Sequence, residues 1–259
     1  MSPGNRWSPT PKYVLRRACV RVLARDLEPG RFVEIGAGSG GLTAEFLERG
    51  FTGVCYDLGE ATRAVLRQRL APYGARIQVA DRLETLAPGS FDYLLAFEVL
   101  EHIDDDAGAL SAWTALLKPG GTCVLSVPAH QRKFGPDDEA VGHVRRYEKD
   151  QLTALVARCG YVEPRVHNYG FPLGNLTRHA ANLMRAFEGA DAERDAVARS
   201  IRSGVEQPAV TRALSRAFND AVLAPFVALQ RAFFSLDWGD GYVLAARKVG
   251  SAGGDRVRK

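Results

Sequence analysis

The stretch "RFVEIGAGSGGLTAEFLERG", Arg31 to Gly50, constrains the fold more than any other part of the chain. A short apolar run reads as a buried strand, four glycines follow within six residues, and Leu42 to Arg49 carries helical spacing. Strand, glycine turn and helix in that order open a doubly wound α/β fold. The alternation then continues. "TGVCYD" reads as a strand, Glu60 to Leu70 as a helix stopped at Pro72, "ARIQVA" and "FDYLLAF" as strands, Ala107 to Leu117 as a helix stopped by "KPGG", and "TCVLSV" as a strand. Helices between strands imply a parallel sheet with right-handed crossovers.

An amphipathic helix over Val14 to Leu27 precedes this series. Another over Glu148 to Cys159 follows it, leading to strand-like "YVEPRVHNY" and, near the end, "GYVLAARKV". About seventy residues separate those two strands, too many for a simple connection. Helical spacing over Asn175 to Gly189, Ala192 to Arg202 and Thr211 to Phe234 fills the gap. The expected division is a cap and helix over 1–28, a core over 29–170, a helical insertion over 171–238 acting as substrate lid or dimer face, a final core strand over 239–249 and a flexible tail over 250–259.

Composition excludes several classes. A net charge of +4 with scattered arginines gives no basic track for nucleic acid. Four cysteines without a CxxC pair exclude a zinc knuckle or disulfide framework and point to reduced thiols in a cytoplasm. "MSPGNRWSPTPKY" has no apolar signal core, and "AVLAPFVALQRAFFSL" is interrupted by Pro225 and Arg231, so no transmembrane segment is expected. Peripheral membrane contact and a homodimer stay open.

The loop fits G-x-G-x-x-G at Gly36, Gly38 and Gly41, and Asp57 ends the next strand, where a carboxylate accepts hydrogen bonds from ribose hydroxyls. Any nucleoside cofactor is served. Glu34 discriminates: an acid there is unfavourable beside a pyrophosphate and welcome beside a cationic amino acid. S-adenosylmethionine carries a ribose, an adenine, a sulfonium and an α-ammonium, without phosphate.

At these residues the chain resembles the class I S-adenosylmethionine-dependent methyltransferases, over roughly Tyr13 to Tyr169 plus the final strand. "VEIGAGSG" resembles the family's first motif, "VADRLETL" its adenine-bordering region, "FDYLLAFEVLEHIDDD" its fourth-strand motif and "LLKPGGTCVLSVP" the turn and strand after it. The resemblance implies a seven-stranded Rossmann-like sheet whose last strand is antiparallel. It also implies cofactor contacts from Glu34, Gly36, Ala37, Gly38, Asp57, Leu58, Asp81, Arg82, Phe97 and Glu98. Packing competes with ligand approach at Gly40, Gly41 and Phe97, and a turn cap competes at Asp81. A nicotinamide oxidoreductase is the rival class.

Ligands of open parallel sheets sit outside the carboxyl ends of the strands, which exposes Glu98, Glu101, His102, Pro128, Ala129 and His130 to a reacting centre. Within "EVLEH" an incipient helical turn would set Glu98, Glu101 and His102 on one face. His143, in the polar loop "VGHVRRYEKDQL", is placed to fold over the same mouth. Neutral imidazoles accept protons from phenols or alcohols, which nominates His102 and His143 as catalytic. The ExxEH spacing also resembles that of ubiquinone-pathway O-methyltransferases and of enzymes methylating small-RNA 3′ ends. That likeness implies magnesium or manganese on Glu98, Glu101, His102 and His143. Against it, VLEH recurs in related enzymes without an ion, and the glutamates can cap the following helix. Tyr13 (with Trp7 as a lid), His130, Arg146 and Tyr147 are candidate substrate contacts. Salt bridging to Asp137–Glu139 competes for Arg145 and Arg146. His167 and His179 read as structural.

Three functions follow: methylation of a small, partly apolar acceptor, with oxygen favoured; metal-dependent 2′-O-methylation at an RNA 3′ end; or a non-catalytic cofactor-binding interaction protein.

Overall fold

The computed structural model describes residues 9–188 and 220–250. Helix α1 (Pro11–Leu23) starts where Thr10 accepts the Tyr13 N–H and Pro11 fills a first-turn position that needs no donor. Its buried Val14, Leu15, Ala18, Cys19 and Leu23 seat it against the core. Strands β1 (Arg31–Ile35), β2 (Thr52–Tyr56), β3 (Ile77–Ala80), β4 (Phe91–Phe97), β5 (Leu117–Pro128), β6 (Tyr161–Tyr169) and β7 (Gly241–Lys248) form one seven-stranded sheet ordered β3-β2-β1-β4-β5-β7-β6. Helices α2 (Gly41–Glu48), α3 (Glu60–Leu70), α4 (Asp106–Leu116), α5 (Pro136–Val141) and α6 (Lys149–Arg158) connect the strands. Between β6 and β7 lie α7 (Leu173–Glu188) and α8 (Asp220–Arg231).

The β1–β2, β1–β4, β2–β3 and β4–β5 pairs are parallel, while β7 runs antiparallel to both β5 and β6. Central strands are near-continuous apolar runs because both faces are covered. Val33 and Ile35 join the cluster containing Leu94, Leu110, Trp113 and Leu152; Phe32 joins the other, with Leu15, Phe46, Leu66 and Leu95. All four cysteines are free and buried. Among the described residues no helix is long and apolar enough to cross a membrane.

This strand order puts β1 between β2 and β4, so the winding reverses there and a crevice opens outside their carboxyl ends. The glycine loop after β1 and the "EVLEH" loop after β4 meet in it. A Cβ on Gly36 would stand 2.5 Å from Val99 Cγ2. Gly36 (φ 67°) and Gly38 (φ 53°) adopt left-handed backbone that favours glycine. Gly40 packs over Leu66 and Leu70, and Gly41 abuts the Tyr13 hydroxyl, so these two serve packing.

Some expectations change. Phe97, the last residue of β4, is 7% exposed and packs in the apolar cluster with Leu15, Phe46 and Leu95. The loop before His143 holds a helix, α5, and β5 begins at Leu117, before the "KPGG" turn. The helix expected over 192–202, the start of that over 211–234, Trp7 and nearly all of the tail lie outside the described residues.

Gly53 of β2 registers with Phe32 of β1, and a Cβ there would run into the Phe32 carbonyl and ring. Adjacent strands cannot part to admit it. Gly53→Ala is expected to destabilise the fold by about 1–3 kcal/mol, read as a lowered urea midpoint with an unchanged slope.

Candidate active site

The crevice is lined by carboxylates from neighbouring strand ends. Glu34, in β1, is 2% exposed and accepts the Thr43 hydroxyl of α2 at 2.6 Å. Burial pushes its pKa up to about 8, with the Thr43 bond and the Arg16 charge working the other way. Asp57, just past β2, accepts the Gly38 N–H at 2.9 Å and the Gly59 N–H at 3.2 Å, which ties the glycine loop to the neighbouring strand tip. Burial raises its pKa despite those bonds. Beside it Leu58 is 59% exposed, an apolar surface open to a stacking or covering group. Ala37 is buried, its N–H bonded to Tyr56 O. Asp81 stands at the end of β3, exposed and paired with Arg67 at 2.5 Å and Arg63 at 3.4 Å; Arg82 is exposed and 3.5 Å from Glu84. An acid pinned at a ribose position, a second buried acid and a positive-φ glycine loop fit a nucleoside with a cationic tail.

Glu98 breaks the expected geometry. Its φ of 59° turns the chain sharply after β4, and only Leu100–His102 forms a short 3₁₀ turn, so Glu98 and Glu101 do not share a helical face. Glu98 instead meets α1, with Lys12 Nζ at 2.9 Å and Arg16 Nη1 at 3.6 Å. Ser126 Oγ and the Tyr169 hydroxyl donate to it at 3.3 and 3.2 Å. Burial opposes its ionisation, but Lys12 and then Arg16 hold its carboxyl well below the usual range. Lys12, Arg16, Ser126 and Tyr169 escaped the sequence reading, because no local spacing links α1 or β6 to the end of β4.

Glu101, His102 and His143 do converge. One donor atom from each lies within 4.8 Å of the other two, and the imidazole centroids are 4.8 Å apart. Glu98 is not part of this group, since it is drawn to Lys12 and Arg16. His102 Nδ1 faces the Gly142 carbonyl at 3.1 Å and His143 Nδ1 faces Asp138 at 2.7 Å. Both partners accept, so each Nδ1 carries a proton and each Nε2 is turned away from that partner. His143 Nε2 is 3.7 Å from a carboxylate oxygen of Glu101. Glu101 is fully buried, and neither of its oxygens has a hydrogen-bond partner among the described residues. Burial, then the charge of Glu98, raises its pKa well above the ordinary value. Burial and the neighbouring His143 lower the His102 pKa to about 4. Asp138 resists burial through hydrogen bonds from His143 and Arg146, and its pKa falls to about 2.

Three expected substrate contacts are structural instead. Arg146, 4% exposed, gives its Nε to both Asp138 oxygens at 2.9 Å and its Nη1 to Asp240 at 3.1 Å. Its charge is thereby neutralised in the interior. Tyr147 is buried in the core, its hydroxyl donating to Asp106 at 2.8 Å, where Arg145 also binds. His130 is 3% exposed, with Nδ1 3.1 Å from Glu148 and its ring against Tyr242. It locks the end of β5 to α6. Tyr13 stays at the crevice, against the glycine loop with Arg16 and Arg17 over its ring. His167 stacks on Phe234.

The profile of a family described as a methyltransferase domain matches residues 9–162, more than half of this chain. A ubiquinone biosynthesis O-methyltransferase of Pseudomonas aeruginosa is 34% identical over 100 residues, 37% of this chain and 43% of that protein. The chain thus spans less than half the length of the curated relatives it matches. Among solved structures, an S-adenosylmethionine-dependent methyltransferase from Mesorhizobium loti superposes with a TM-score of 0.58 at 16% identity, covering 92% of this chain and 98% of the other. The 1,6-didemethyltoxoflavin-N1-methyltransferase of Burkholderia thailandensis gives 0.53 at 20% identity, covering 91% and 78%. At these identities the superpositions establish the fold.

The buried Glu34 sets a pH dependence. Its folded pKa lies above the unfolded one, so the stability it contributes is complete below about pH 4.5 and is lost as pH rises through about 8. Glu34→Gln removes that loss. The variant should therefore gain stability relative to the parent between pH 5.5 and 8.5 in urea unfolding of the ligand-free protein; an equal difference at both pH values would contradict the assignment.

Proposed function

The chain belongs to the class I S-adenosylmethionine-dependent methyltransferases, and from that premise we propose that it methylates a small, partly apolar acceptor, with oxygen the favoured atom. The observation that carries the reading is the buried Glu34 beside a glycine loop pinned by Asp57. When bound, S-adenosylmethionine supplies an electrophilic methyl on sulfur. Glu34 is suited to the α-ammonium, Asp57 to the ribose hydroxyls and Leu58 to an apolar face of the nucleoside. Lys12 and Arg16 are the cations at the same edge, suited to the methionyl carboxylate. Asp81 and Arg82, at the rim, remain candidates for the adenine.

His143 is assigned as proton acceptor. Asp138 holds its Nδ1–H and thereby presents the Nε2 lone pair, the orienting logic of an activated histidine. His102 is neutral across the physiological range and, with its pKa near 4, too weak a base for a phenol or alcohol. With the cofactor bound, its methyl would be open to in-line attack by an acceptor oxygen, and His143 Nε2 would take the acceptor's proton. Alignment supplies the larger share, on the order of 7–11 kcal/mol, against roughly 3–5 kcal/mol for a positioned base. The aromatic group Phe171, Phe233 and Trp238, just beyond Tyr169, supports an acceptor with an apolar part.

A specific observation also favours a divalent cation. Glu101 offers two buried oxygens without a hydrogen-bond partner among the described residues, and both imidazoles have their Nδ1 held by an acceptor, the arrangement typical of metal-bound histidines. Glu101, His102 and His143 would hold such an ion, whose charge would acidify an acceptor hydroxyl. The RNA reading finds less support: Lys12, Arg16, Arg145 and Arg146 are all paired with acids, leaving no track among them.

Isothermal titration should detect S-adenosylmethionine and S-adenosylhomocysteine, with Glu34→Gln weakening both by roughly 10- to 100-fold, as expected for one charged hydrogen bond to the α-ammonium they share. Uptake of NADH alone would overturn the family-based reading. Against a panel of phenols, catechols and amines, His143→Ala should lower S-adenosylhomocysteine formation by about 10²–10⁴-fold while leaving cofactor affinity within about threefold. On the cation reading His143 Nε2 is a ligand rather than the proton acceptor, and chelation should abolish turnover with manganese or magnesium restoring it; turnover indifferent to chelation removes the ion and leaves His143 as base.

A further inference from the structure

A chain of alternating charges runs from His143 to the helical insertion. His143 Nδ1 meets Asp138 at 2.7 Å, Asp138 meets Arg146 Nε at 2.9 Å, Arg146 Nη1 meets Asp240 at 3.1 Å, and the same Asp240 oxygen meets Arg178 Nε at 2.9 Å. The side chains of Asp138, Arg146, Asp240, His143 and Arg178 are all at most 9% exposed. They come from α5, the loop between α5 and α6, the residue just before β7, and α7. Buried ion pairs of this kind are commonly no more stable than apolar replacements of similar volume, so stability alone does not account for them. From His143 through Asp138 and Arg146 to Asp240 they provide directional hydrogen bonds, to which Arg178 adds a buried positive charge beside Asp240.

Asp240 is the fixed point of the chain. Its N–H donates to Tyr169 O at 2.8 Å and its carbonyl accepts the Ala129 N–H at 3.0 Å, so its backbone is clamped between the ends of β6 and β5. Its carboxylate is then shared between two guanidinium groups, one fixed near the crevice and one carried by the helix that leads into the insertion. Removing either guanidinium changes the force on the other.

We propose that Asp240 is a positioning residue that, by dividing its carboxylate between Arg146 and Arg178, keeps Asp138 on His143 Nδ1 and so couples the seating of α7 to the orientation of the imidazole. The proposal deepens the reading of His143 given above and rests on it for its consequence in catalysis. It makes α7 part of the active apparatus: Arg178 of α7, held beside Asp240, completes the histidine's presentation.

The test uses the full chain labelled with ¹⁵N-histidine, with the His143 resonance assigned from the His143→Ala spectrum. The parent should show His143 as the Nδ1–H tautomer. Asp240→Asn and Arg178→Ala should each lose that form as the major species, with far-ultraviolet circular dichroism unchanged, and Arg178→Lys should recover it. Formation of S-adenosylhomocysteine should fall roughly 10- to 100-fold in the first two, the usual cost of losing an outer-shell partner, with the KM for S-adenosylmethionine within about twofold. An unaltered His143 tautomer in folded Arg178→Ala and Asp240→Asn overturns the coupling. His143→Ala with undiminished turnover overturns the proton-acceptor reading instead, and the tautomer result still decides the coupling.

Discussion

Four carboxylates crowd the carboxyl edge of this sheet, and each must be reconciled with the loss of water there. Glu34, Asp57, Glu98 and Glu101 come from the ends of β1, β2 and β4, which lie side by side. Desolvation disfavours the charged form of all four, and the partner each one finds decides its state. Glu34 has the Thr43 hydroxyl and the Arg16 charge and is still driven toward neutrality; Asp57 has two backbone N–H groups opposing its burial; Glu98 has two cations and stays ionised; Glu101 has no hydrogen-bond partner among the described residues and is driven well upward. A cation brought beside Glu34 would restore the ionised form that burial disfavours. A sulfonium nucleoside with an ammonium group is a natural complement to it.

The same constraint explains why α1 matters. Lys12 and Arg16 do not belong to the sheet, yet they neutralise the acid at the end of its central strand, and Tyr13 between them lies on the glycine loop. The helix is thereby both a support for the fold and a wall of the crevice. On the far side the interior charges of Asp138, Arg146 and Asp240 play the corresponding part, joining the loop that carries His143 to β7 and α7. Acids and cations at this edge are distributed so that no single element contains a complete site.

Much of the architecture was legible in residue order. Strand–glycine–helix spacing at Arg31–Gly50 and the alternation after it identify a doubly wound sheet, because a strand buried on both faces must be a continuous apolar run and its crossover must be helical. The placement of Glu34, Gly36, Gly38 and Asp57 along the crevice was readable for the same reason: it follows from position at a strand tip. Less was readable at the mouth. "EVLEH" suggested three side chains on one helical face, but the left-handed backbone at Glu98 sends that carboxylate to α1 and leaves Glu101 and His102 to meet His143. "HVRRY" suggested a grip on substrate, whereas Arg146 and Tyr147 are held in the interior by Asp138, Asp240 and Asp106. Charge and polarity give no sign of whether such a side chain faces water or a buried acid.

Sequence by itself determined what depends on neighbours along the chain: the periodicities, the glycine turn, the strand-end acids and the family they imply. Tertiary structure decided which acid meets which cation, which imidazole nitrogen keeps its lone pair, and which of the candidate residues lie in the core. Those outcomes turn on hydrogen bonds and desolvation between elements distant in sequence, so they exist only once the sheet has brought its strand ends, α1, α5 and α7 to one edge.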